Sequence, residues 1–188
     1  SLLDDKTLAA VMGHELGHYL AHGVHHPHAA AAHTARRLLL NESTHDDGVL
    51  DQARRLSMAM ELTADRFGLL ACRDLDAALR LEMVVVTGLP ASELTWDTQA
   101  YLEQSRSLID SMLSDGETAL GYSHPEHSLR AYALWLFSES DLYRQLTDDG
   151  PGTRPIAEVD EQLMRVLGHS EVEFGNATVF EEPQIEVQ

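Results

Sequence analysis

The stretch Val11-Met12-Gly13-His14-Glu15-Leu16-Gly17-His18-Tyr19-Leu20-Ala21-His22 decides how this chain is read. Leu8, Val11, Met12, Leu16, Tyr19 and Leu20 recur at helical spacing. Acids at Asp4 and Asp5 suit the N-terminus of that helix, and Gly23 and Pro27 end it. His14 and His18 then stand one turn apart on one face and can offer two imidazole nitrogens to one ion. A tetrahedral zinc takes two nitrogens at about 2.0–2.1 Å and leaves room for a carboxylate and a water. Glu15 lies roughly 100° further around the helix. It is badly placed as a third ligand and well placed beside that water, which is what metal-assisted hydrolysis requires. Gly17 leaves another side of the helix without bulk, so a neighbour is expected to pack closely there.

The third ligand is sought elsewhere. An extended motif would need a glycine at position 21 and a histidine at position 24, where the chain has Ala21 and Val24. The next option is a carboxylate from a second helix. Residues 50–72 carry a strong helical pattern that includes Ala53, Leu56, Met60, Ala64 and Phe67. On it Glu61 and Asp65 are again one turn apart and face one way. One can bind a metal while the other accepts a hydrogen bond from the far nitrogen of a ligand histidine and fixes its ring. A plain salt bridge from Asp65 to Arg66 or Arg130 competes with that role.

The rest of the pattern is mostly helical. Helices are expected at 29–40, 74–86 (closed by Gly88 and Pro90), 98–113, 126–138, 141–146 and 156–167. The runs 41–48 and 114–125 read as polar loops, and Thr147–Pro155, with its D-D-G-P-G, reads as a linker. The expected division is a catalytic domain over 1–146, followed by 147–188 as linker, one helix and an acidic tail. Residues 178–180 or 185–187 could pair as a short strand. Trp135 and the single cysteine, Cys72, are read as core residues.

Composition narrows the function. There are 31 acidic and 13 basic residues, for a net charge of −18. No basic surface exists to neutralise phosphates, so nucleic acid is excluded as a partner and anionic membrane surfaces are disfavoured. No apolar run approaches the roughly 18–20 residues that cross a bilayer. A lone cysteine allows no internal disulfide.

Taken together, H-E-L-G-H at 14–18, E-L-T-A-D-R-F-G at 61–68 and S-H-P-E-H-S-L-R at 123–130 resemble the three successive motifs of the M48 metallopeptidases. That family includes CAAX-prenyl endopeptidases, HtpX-type stress proteases and soluble members. The resemblance implies a mainly α fold, α+β zincin-like and of the gluzincin type, whose small sheet is weak or supplied by an upstream segment, and a zinc-dependent endopeptidase acting on protein or peptide substrates. It implies one zinc per chain, held by His14, His18 and Glu61, with Glu15 as general base and Asp65 orienting a ligand histidine. His124 is expected to stabilise the oxyanion, and Arg130 to hold its loop or assist the same charge. The family places strands before the zinc helix, whereas here the helix begins near residue 5. The chain is therefore read as a piece of a longer protein, or as one whose substrate edge is supplied otherwise. A soluble periplasmic or cytoplasmic setting fits.

Two rivals remain open. One is a non-catalytic or latent zinc-binding module that docks a protein partner. The other is a metal carrier built on the histidines at 25, 26, 28 and 33; one tight zinc speaks for a peptidase site, several weak ions for a carrier. His22 continues the stripe from His18 but lies a turn further on, and is read as a packing or hydrogen-bonding residue.

Overall fold

In the computed structural model, residues 3–23, 26, 28–40, 47–95, 97–116 and 126–168 are described, and they form a mainly α protein. Helix α1 (Asp5–His22) is started by Asp4, whose carboxylate accepts the Thr7 amide at 2.8 Å. It is followed by α2 (Ala29–Leu39) and the long α3 (Asp47–Cys72). Helix α4 (Leu75–Thr87) is capped by Asp74 and closed by Gly88 in the left-handed region, with φ 68°. A single 3₁₀ turn at Ala91–Glu93 was not expected. Helix α5 (Thr98–Ser114), α6 (Glu126–Ser138), α7 (Asp141–Thr147) and α8 (Ile156–Val166) complete the order. The described residues hold no strand beyond one isolated parallel bridge between Ser140 and Arg154. The expected tail strands lie outside the described residues. No described helix is long and apolar enough to cross a membrane.

The α1–α3 crossing positions the site, and it is built from small residues. Helix α1 buries Thr7, Ala10, Gly13 and Gly17, while Leu8, Met12, Leu16, Tyr19 and Leu20 stay exposed. The large apolar side chains that signal this helix are thus not the ones it buries. With no side chain at Gly13 and Gly17 the backbones approach each other directly there, which gains dispersion contacts along the crossing. The neighbour expected at Gly17 is α3: a Cβ there would meet Ala64 Cα and Phe67 Cβ, each at 2.9 Å. At Gly13 it would meet Ala71 Cβ at 2.5 Å and the Phe67 carbonyl at 2.6 Å.

Gly13→Ala therefore forces the two helices apart. Alanine's helix preference over glycine, about 1 kcal/mol, favours the variant. Overpacking of this kind costs about 1–3 kcal/mol and, with a backbone carbonyl in the way, wins. A lower denaturant midpoint is expected, and an unchanged one would show that the crossing has slack.

Helix α6 is the shared wall of the interior. One face joins Leu62 of α3, Ile109 and Met112 of α5, and Val159, Leu163 and Val166 of α8. The other joins Leu69 of α3, Leu79 of α4 and Tyr143 of α7. Helix α8 thus belongs to the same interior as α3. The segment read as a linker is tied down as well. The Asp141 amide donates to the Arg154 carbonyl at 2.8 Å, and the Ile156 amide to the Asp141 carboxylate at 2.8 Å. Cys72 is buried, as expected. Trp135 is half-buried at the margin, with the Arg106 guanidinium 4.3 Å over its ring.

Candidate metal centre

The close α1–α3 crossing brings His14 and His18 to face Glu61. His18 Nε2 stands 3.1 Å from His14 Nε2 and 3.5 Å from Glu61 Oε1. His14 Nε2 stands 3.5 Å from Glu61 Oε2. Two donors bound at about 2.0–2.1 Å to a tetrahedral ion lie about 3.3–3.4 Å apart. The three separations are close to that span, each histidine facing a different oxygen of Glu61, and the donor set, two imidazoles and a carboxylate, suits zinc. Among the described residues this is the one group of three potential ligands close enough to share an ion. All three side chains are partly exposed, so the group is reachable from solvent. Glu15 is exposed on α1, next to His14 in the chain.

Behind the group lies a buried ionic chain. His14 Nδ1 is 2.8 Å from Asp65 Oδ1, and this contact points Nε2 at Glu61 and His18. Arg130 of α6 grips Asp65 with the Nε–Nη2 edge of its guanidinium: Nε donates to Oδ2 at 2.8 Å and Nη2 to Oδ1 at 2.6 Å. The same Nη2 is 2.9 Å from Glu82 Oε1 of α4. Glu82 Oε2 is 3.1 Å from His127 Nδ1. Asp65, Glu82 and Arg130 are buried.

Electrostatics follow from these contacts. Burial pushes the Asp65 carboxyl up, but Arg130 and His14 outweigh it and hold it below the ordinary carboxylate value. The His14 contact also lowers Glu61, against its burial. Burial alone would lower His14, yet Asp65 and Glu61 hold its proton up to about 9. Glu82 raises His127 through their hydrogen bond.

The Arg130 guanidinium pairs with Asp65 and Glu82, inside the protein. Asp65 takes both suggested contacts, to His14 and to Arg130, whereas Arg66 pairs with Asp160 at 2.6 Å. His124 lies outside the described residues, as does His25. The His26 and His28 rings lie tilted to each other with centroids 4.9 Å apart, and His33 is exposed on α2. His22 has a buried Nδ1 with no partner among the described residues, and burial, above all, lowers its pKa. Glu82 and His127 were not foreseen; the available signal was an acid at position 82 flanked by Leu81, Met83 and Val84, where a buried carboxylate demands a partner.

Comparison with known proteins adds one finding. The model of Peptidase family M48 matches residues 1–135. A search of curated proteins and a search of solved structures return no match. The matched stretch covers 135 of the 188 residues and contains His14, His18, Glu61, Asp65 and Arg130, so the chain belongs to peptidase family M48.

Proposed function

We propose that this chain is a zinc-dependent endopeptidase that hydrolyses bonds in unfolded proteins or peptides. The observation that carries the reading is the convergence of the His14, His18 and Glu61 donors within reach of one ion, with Glu15 exposed and next to His14 on α1. These three side chains would hold one zinc. When bound, the ion lowers the pKa of a water to about 7 and polarises the scissile carbonyl.

The chain's own groups do the rest. Glu15 accepts the proton of the attacking water and returns it to the departing amine. Asp65 keeps His14 in the tautomer that presents Nε2. Arg130 holds Asp65 in place from the protein side. His124, from the His-Pro motif, hydrogen-bonds the oxyanion.

The test is zinc content per chain together with cleavage of casein. The expected result is one zinc per chain, cleavage lost on chelation and regained with zinc. A chain that takes up no zinc overturns the reading.

Proton release gives a second expectation. Zinc must displace the proton that His14 holds up to about pH 9. Affinity should therefore climb about tenfold per pH unit as pH rises toward that value, as read in a chelator competition. The metal-free protein shows the linked effect. A raised histidine pKa contributes stability that is full below about 6.5, the ordinary value, and is lost as pH rises through about 9. The melting temperature of the chelated protein should fall across that window. A flat profile would mean that Asp65 and Glu61 do not hold the proton.

A further inference from the structure

Glu82 is the most deeply buried acid of the ionic chain, 2% exposed, and no step above uses it. An ionised carboxylate taken out of water is costly unless it is matched by charge and hydrogen bonds. Here one cation, Arg130, stands between two such groups, Asp65 and Glu82.

The atoms involved give the arrangement a direction. Asp65 Oδ1 accepts from two donors, His14 Nδ1 at 2.8 Å and Arg130 Nη2 at 2.6 Å. A guanidinium on that oxygen withdraws charge from it and weakens its hold on the His14 ring. Glu82 Oε1, 2.9 Å from that same Nη2, draws the guanidinium the other way.

We propose that Glu82 is a positioning residue for the metal site: by offsetting the charge of Arg130, it lets Asp65 keep its pull on His14. The inference rests on the zinc reading above. It makes the site a relay across four helices, from α4 through α6 and α3 to α1. His127 Nδ1, 3.1 Å from Glu82 Oε2, anchors the outer end.

Glu82→Gln separates this role from a merely structural one, since the amide keeps the shape and an acceptor but loses the charge. With Zn²⁺ alone as the probe and a competing chelator, the variant should bind zinc about tenfold more weakly, the low end of the 10–100-fold cost seen for outer partners of metal ligands. The same substitution in an Asp65→Asn background should cost little further affinity, because the relay is already cut. A structural role would add the same loss in both backgrounds.

If Glu82→Gln melts far below the wild type, Glu82→Asp carries the test. It keeps the charge with a shorter reach, and should lose less affinity than the amide, again only where Asp65 is intact. Wild-type affinity in Glu82→Gln, or an equal loss in both backgrounds, overturns the inference while leaving the zinc site standing. A wild-type chain that binds no zinc overturns both.

Discussion

Glu15→Gln should abolish casein cleavage and leave the zinc content at one per chain. The separation of the two readouts follows from where Glu15 sits. It follows His14 on α1 by one residue, so its side chain points about a quarter-turn away from the ligand face. It is exposed, whereas His14, His18 and Glu61 are partly buried against each other. Removing its charge takes no donor from the ion. It does remove the group that accepts a proton in the transition state, a contribution of about 10²–10⁴-fold. An amide of the same shape cannot accept that proton, so kcat should fall by this factor while KM holds. Full activity in the variant would sink the mechanism. One zinc in both proteins with cleavage in neither would instead support a latent or docking module of metallopeptidase fold.

Much of the site could be read before any coordinates, for a definite reason. His14 and His18, and Glu61 and Asp65, are pairs within single helices, and the 3.6-residue repeat alone decides that each pair shares a face. What joins the pairs is a crossing of two helices, and periodicity says nothing about which face is turned inward. On α1 the conspicuous apolar residues, Met12, Leu16 and Tyr19, point outward, and the glycines make the contact. Glu82 was hidden for a related reason. Its helix is apolar on several sides, and only the packing of α4 against α3 and α6 reveals that this acid faces Arg130. Helix α8 was legible as an amphipathic helix, but its seat beside Leu62 and Ile109 was not, because the turn before it has a linker's composition and none of a linker's freedom.

Arg130→Met should destabilise the protein strongly. The side chain is 10% exposed, and it lies between carboxylates that are 5% and 2% exposed. Methionine fills a similar volume, so the cost is electrostatic rather than a cavity. With Arg130 present, Asp65 and Glu82 carry one net negative charge between them and their cation. Without it they carry two, with only His14 and His127 left as partners. Breaking a buried pair by removing one member costs about 3–5 kcal/mol, a large share of the about 5–15 kcal/mol that holds a typical domain together.

The sign of the pH dependence tells this cost from a packing defect. In the wild type the lowered pKa of Asp65 contributes stability that is present above its unfolded value and lost as pH falls through the folded one. In the variant, Asp65 loses the guanidinium that opposes its burial, and its carboxyl is raised. A raised carboxyl contributes stability that is full below the unfolded value and lost as pH rises through the folded one. The deficit between Arg130→Met and the wild type should therefore shrink as pH is lowered from neutrality toward the carboxylate range. Denaturant unfolding at neutral and at mildly acid pH measures it. A deficit that stays constant with pH would mean that Arg130 stabilises the protein by filling space, and that the charges it stands between are balanced by other groups.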